Sequence, residues 1–156
     1  MIKVNIVAVG KVKEKYFLDG INEYAKRLSK YCEFNIIEIP EENYLKVDGV
    51  LIENIKMKEG EKILRALKGK VYAMAIEGKK ISSEKLAAIL KSHADRGESV
   101  TFVIGGSYGL SSQVKSAATE LISFSDMTFP HTMFRLMLTE QIYRAFSIVA
   151  GSAYHK

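Results

Sequence analysis

The sequence predicts a single α/β domain, with a mostly parallel five-stranded sheet covered by helices on both faces. Three observations lead there. Strand-like and helix-like apolar periods alternate five times along the chain. Residues 71–76 and 100–104 are continuous apolar runs of strand length, the pattern of strands covered on both sides. The chain's 156 residues, 47% apolar and 26% charged, provide one core and leave no room for a second domain. At this size roughly 70% of the unfolded chain's surface can be buried, so folding requires neither a disulfide nor a metal.

Each element has its own signal. Residues 2–9 alternate as a strand, closed by Gly10-Lys11. Phe17, Ile21, Tyr24 and Leu28 then form the stripe of an amphipathic helix. Residues 34–39 read as a second strand, stopped by Pro40. After a polar loop, Val47, Val50, Leu51, Ile55, Ile63, Leu64 and Leu67 mark a long helix with a weak point at Gly60, ended by Gly69. The run 71–76 follows, and Ser82 or Ser83 caps a helix carrying Leu86, Ala87, Ile89 and Leu90 and ending at Gly97. The run 100–104 enters Gly105-Gly106-Ser107-Tyr108-Gly109. A short helix over 111 to about 120, a strand over 121–125, the segment Met127-Thr128-Phe129-Pro130-His131 and a last helix from about 132 to 149 complete the chain. No repeat or low-complexity tract interrupts this order.

Composition narrows the function classes. Cys32 is the only cysteine, which excludes an intrachain disulfide framework and favours a reducing, cytoplasmic setting. No apolar run approaches the roughly 20 residues of a membrane span, and residues 1–10 do not resemble a secretion signal. The net charge of +5 permits nucleic acid without demanding it; residues 1–30 carry +4 of it, as either a basic face or a solvated helix surface. His93, His131 and His155 lack metal-ligand spacing, and nothing beside Cys32 suggests a Cys-His nucleophile. His93 reads as a helix-surface residue.

In parallel sheets ligands bind beyond the carboxyl ends of the strands, which leaves three loops as candidates. Gly105 to Gly109 lets a backbone approach a ligand closely, or is simply a tight turn; it matches neither the dinucleotide fingerprint nor the phosphate loop. Glu77-Gly78-Lys79 makes a sharp strand exit. Residues 125–131 place Pro130 where a chain enters a helix. Together the three can enclose a nucleoside cofactor with main-chain atoms.

The last helix is apolar around nearly its whole circumference, so its cover calls for a partner subunit. Glu140 and Arg144 suit an i,i+4 ion pair. Arg135 has no local partner and suits a phosphate or a ligand. The tail Gly151-Ser152-Ala153-Tyr154-His155-Lys156 reads either as frayed or as closing over a base.

Val7-Ala8-Val9-Gly10-Lys11, Val103-Ile104-Gly105-Gly106-Ser107 with Gly109-Leu110, Ser123-Phe124-Ser125 through Met127-Thr128-Phe129-Pro130-His131, Glu140-Gln141-Ile142-Tyr143-Arg144-Ala145 and the terminal Tyr154-His155-Lys156, in this order and spacing over the whole chain, resemble the RlmH family. The resemblance implies a SPOUT-class methyltransferase: a homodimer with a C-terminal trefoil knot. It would transfer methyl from S-adenosyl-L-methionine to N3 of a pseudouridine in helix 69 of 23S rRNA, on the assembled ribosome. Connection rules alone favour an unknotted sheet. The family's cofactor contacts fall on Met74, Gly105, Phe124, Ser125, Asp126, Met127, Thr128 and Phe129. Met74-Ala75 departs from the family's Leu followed by an acid.

Loss of the N3 imide proton makes that nitrogen a nucleophile, and a histidine suits its removal near neutrality. His155 ranks first as that base, with His131 second. Arg135 and Arg144 suit phosphate or the uracil carbonyls, Tyr143 or Tyr154 stacking on the base, and Lys156 the RNA backbone. Two other function classes stay open on the residues alone. A non-catalytic RNA-binding or ribosome-associated module would bind RNA without cofactor, and a small-molecule enzyme on an ordinary doubly wound fold would ignore RNA.

Overall fold

The computed structural model describes residues 1–156. Strands β1 (Lys3–Val9), β2 (Glu33–Ile39), β3 (Lys70–Lys80), β4 (Val100–Ile104) and β5 (Glu120–Ser123) pair in the order β2-β1-β4-β3-β5, every neighbour parallel. Helices α1 (Lys15–Leu28), α3 (Ser83–Asp95) and α5 (His131–Val149) cover one face, and α2 (Gly49–Ala66) and α4 (Ser112–Ala117) the other. The crossovers β1 to β2 and β3 to β4 run one way across the sheet over the first face; β2 to β3 and β4 to β5 run the opposite way over the second. All four therefore share one hand, as strand twist favours.

The continuous apolar runs follow from this two-sided cover. On β1, Val4, Ile6 and Ala8 enter the core under α1, α3 and α5, whereas Val7 and Val9 enter the core under α2 and α4. On β4, Phe102 and Ile104 face the first core and Val103 the second. Gly60 does not break α2. A Cβ there would sit 2.5 Å from Oγ of Ser111, the N-cap of α4, so the glycine lets α4 start against α2. Gly20 plays the same part for α1 and α5, since a Cβ would lie 2.8 Å from Leu136. Ser82 is the cap of α3, its side chain accepting from the Lys85 amide.

Two expectations are corrected. Arg135, with no local partner, is taken up not by a ligand but by distant residues: it is 3% exposed, donates to Glu38 at 2.6 Å and to the Gly10 carbonyl at 3.0 Å, and so ties α5 to the ends of β1 and β2. Its guanidinium is withdrawn from solvent. His93 is buried, not a surface residue: its Nε2 lies 2.6 Å from the Tyr72 hydroxyl and its Nδ1 3.0 Å from Glu98. Hydrogen bonds from His93 and Arg96 hold the Glu98 carboxyl down at about 2. This network closes the amino-terminal end of the sheet.

Two outcomes follow. Arg135→Leu leaves Glu38 and the Gly10 carbonyl without their donor and should lower the unfolding free energy by about 2 kcal/mol in urea titrations; a loss below about 1 kcal/mol would show the pair to be an ordinary surface contact. For Glu98 the folded pKa lies below the unfolded value of about 4.3, so its contribution is complete above that value and disappears as pH falls toward 2. Glu98→Gln should therefore flatten the acid limb of stability between pH 5 and 2; an unchanged slope would place the acid sensitivity elsewhere.

Candidate functional site

The three loops singled out in the sequence do not compete: they line one cavity of about 350 Å³ beyond the carboxyl ends of β3, β4 and β5. That volume lies within the usual range of small-molecule sites. The walls after β3 and β4 each rest on a close approach of main chain to main chain. After Met74, β3 leaves its neighbour, residues 75–78 loop out, and Lys79 and Lys80 return to pair with β5, so that Ile122 faces both Met74 and Lys79. Gly78 permits the return, because a Cβ would fall 2.7 Å from the Ile122 nitrogen. The sharp exit expected at Glu77-Gly78-Lys79 is thus a bulge inside a longer strand.

The wall after β4 is folded on itself by a bridge between Gly106 and Gly109. Gly109 adopts a φ of +83°, and a Cβ on Gly105 would meet the Gly109 carbonyl carbon at 2.8 Å. A side chain at Gly105 would require movement, and one at Gly109 would be strained by its backbone angle although the space is open. The loop is buttressed from outside, Ser107 donating to Glu41 at 3.1 Å. Beneath it Glu59 accepts from the Glu42 amide, and burial pushes its carboxyl above the ordinary range. In the wall after β5, Ser125 accepts from the Met127 amide at 3.0 Å, while Phe124 packs on Phe134 with ring centres 4.8 Å apart.

Met74, Gly105, Phe124, Ser125, Met127, Thr128 and Phe129 all line the cavity, as does His131 at the start of α5. Asp126 does not. Its side chain is 80% exposed and pairs with Lys80. Sequence reasoning missed Lys115 on α4 and took Glu77 for a turn residue; both line the cavity and form an ion pair at 2.6 Å. The hydrogen bond from Lys115 holds the Glu77 carboxyl below its ordinary value. Ala75 stands where the family pattern has an acid, and the carboxylate in this cavity belongs to Glu77.

The tail residues gather elsewhere. Tyr154 folds back on α5, donating to Glu140 at 3.0 Å and lying 3.2 Å from the Tyr24 hydroxyl. Arg144 sits 4.8 Å from its ring centre and is held by Glu140 at 2.6 Å, the i,i+4 pair expected. Burial, then the bonds to Tyr24 and Glu140, raise the Tyr154 hydroxyl above its ordinary value. Arg144 lies 3.1 Å from Nδ1 of His155, whose Nε2 is 2.9 Å from Glu84. A guanidinium only donates, so Nδ1 is the acceptor and Nε2 carries the hydrogen. The segment over 154–155 is therefore anchored, not frayed; Lys156 is exposed. Tyr143 is buried among Tyr24, Tyr31 and Tyr154, which corrects its reading as a platform for a base.

Phe134, in the cavity wall, and Arg144, in the tail cluster, are ten residues apart on α5. At 1.5 Å per residue their separation along the helix is on the order of 15 Å. The cavity and the tail cluster are thus two separate regions of the chain.

A family model described as "Predicted SPOUT methyltransferase" matches residues 2–155. Proteins named ribosomal RNA large subunit methyltransferase H from Pediococcus pentosaceus and Ligilactobacillus salivarius are 49% and 50% identical, over 99% of this chain and 100% of theirs. A probable methylase family protein from Haemophilus influenzae Rd KW20 shares the fold, with a TM-score of 0.55 at 10% identity over 99% of this chain and 70% of its own. A match that runs almost from end to end, with relatives half identical along their full length, leaves one conclusion: the chain belongs to the SPOUT methyltransferase family.

Proposed function

We propose that the chain methylates N3 of a pseudouridine in helix 69 of 23S rRNA, on the assembled ribosome in the cytoplasm, acting as a knotted homodimer with S-adenosyl-L-methionine as donor. The observation that carries the reading is the cavity enclosed by main-chain loops at the ends of β3, β4 and β5, in a chain half identical to proteins named for large-subunit rRNA methylation.

The residues present fit such a donor. Loop amides and carbonyls beside Gly105 and Ser125 offer hydrogen bonds to a planar base, and Met74, Phe124 and Phe129 offer apolar walls. When bound, S-adenosyl-L-methionine supplies a methyl group already made electrophilic by its sulfonium. The protein's part is then to place a nucleophile in line and remove its proton. His155 takes the N3 proton at Nδ1 once the substrate displaces Arg144, and Glu84 on Nε2 stabilises the imidazolium that results. Arg144 is then free to bind a phosphate or a uracil carbonyl, Lys156 reaches the RNA backbone, and Tyr154 offers a ring face. Arg135 and Tyr143 act by holding α5 and the tail.

A separation on the order of 15 Å along α5 is too long for the cavity and tail of one protomer to work on the same base. The reading therefore places one subunit's tail over its partner's cavity. Met133 and Met137, partly exposed on α5 beside the cover that α1 and α3 supply, suit such a contact.

Calorimetry should show that the wild type binds S-adenosyl-L-methionine, and Gly105→Arg should weaken binding by more than about tenfold, or 1.4 kcal/mol. His155→Gln should leave that affinity unchanged while lowering the single-turnover methylation rate on ribosomes by about a hundredfold. Nucleoside mass spectrometry of 23S rRNA from cells lacking the gene should show a pseudouridine without its methyl, restored by complementation. An intact modification in those cells would refute the substrate.

A further inference from the structure

The cavity wall contains two side chains that are formally charged at neutral pH, Glu77 and Lys115. Everything else that lines it is apolar, hydroxylic or main chain, apart from His131. Opposite charges paired at one point of such a wall need a reason. Both side chains remain partly open to solvent, that of Glu77 at 51% and that of Lys115 at 33% exposure. The pair therefore adds little to stability, and opening it costs little.

The two charges arrive on different elements. Glu77 is carried by the bulge at 75–78, which Gly78 fixes in place by packing against the main chain of Leu121 and Ile122. Lys115 is carried by α4, in the crossover from β4 to β5. A ligand bearing an ammonium and a carboxylate on one carbon complements both at once: each partner exchanges one charge-assisted hydrogen bond for another of the same kind. A neutral nucleoside offers neither group and leaves the pair closed.

We propose that Glu77 and Lys115 bind the amino-acid end of the donor, Glu77 receiving its α-ammonium and Lys115 its α-carboxylate. The assignment rests on the cofactor reading above and deepens it. It makes the pair a selectivity device: the apolar and main-chain walls accept the nucleoside, and the ion pair distinguishes a nucleoside that carries an amino-acid tail from one that does not.

The test is calorimetry on the full chain with two probes, S-adenosylhomocysteine, which has the tail, and 5′-methylthioadenosine, which lacks it. The wild type should prefer S-adenosylhomocysteine. Glu77→Gln and Lys115→Gln should each weaken S-adenosylhomocysteine by about tenfold while changing methylthioadenosine by less than about twofold. Retained methylthioadenosine binding also reports an intact cavity, so that a folding defect cannot imitate the result. Equal losses for both probes, or no loss for either, overturn the assignment, as does a wild type that binds the two equally. A wild type that binds neither overturns the cofactor reading itself.

Discussion

The site depends on backbone packed against backbone at the carboxyl ends of three adjacent strands. At Gly78 the β3 chain lies so close to Leu121 and Ile122 that no side chain fits between them, and at Gly105 the chain after β4 presses on Gly109. These approaches hold the loops apart from the core and leave a cavity between them. A site made this way recognises its ligand mainly through amide and carbonyl groups, whose positions are set by the fold and not by rotamers. With the proposed donor, whose methyl is already activated, such a cavity would have orientation to supply more than a metal or a covalent nucleophile.

The rest of the molecule keeps those loops in place. Both cores converge on β1 and β4, whose side chains alternate between the two faces, so the central strands are rigid supports for the Gly105 loop. The helix that follows the last loop is anchored by Arg135 to Glu38 and the Gly10 carbonyl. A buried guanidinium is costly to desolvate, and hydrophobic contact alone would have packed α5 against the sheet. What Arg135 adds is a fixed position of α5 along its own axis, since its donors meet particular acceptors at the end of β1. His131 and Phe134 lie within one turn of it and line the cavity, so this position also sets one wall of the site.

Much of the fold was legible because apolar periods report burial directly. Ile21 and Leu28, Leu86 and Leu90, and the runs on β1 and β4 each declare a covered face within a few residues of sequence. Failures came where burial or pairing is decided by a distant segment. His93 looks like a surface residue until Tyr72, from another element, is brought to its Nε2. Arg135 looks unpartnered because Glu38 is 97 positions away. The end of β3 looks like a turn because Gly78, Lys79 and Lys80 are turn-like and polar; only the edge strand β5 makes them a strand. The ion pair between Glu77 and Lys115 gives no local signal at all. Of the loop residues that the resemblance names, all but Asp126 line the cavity; the Asp126 side chain pairs with Lys80 outside it.

The tail shows why a short polar terminus can be ordered without a core of its own. Tyr154 uses both ends of its side chain: the ring packs on Tyr143 and under Arg144, and the hydroxyl reaches Glu140 and Tyr24. Arg144 in turn holds both Glu140 and His155. Each of these bonds is partly exposed and individually weak, and the segment is ordered because they share partners. Such an arrangement suits a surface that must release one contact to admit a substrate. An RNA carbonyl or phosphate competing for Arg144 would free Nδ1 of His155 without dismantling the ring packing that positions it. On the proposed reading, holding and releasing would fall to different atoms of the same cluster, and the acceptor on His155 would be uncovered only when a substrate takes its place on Arg144.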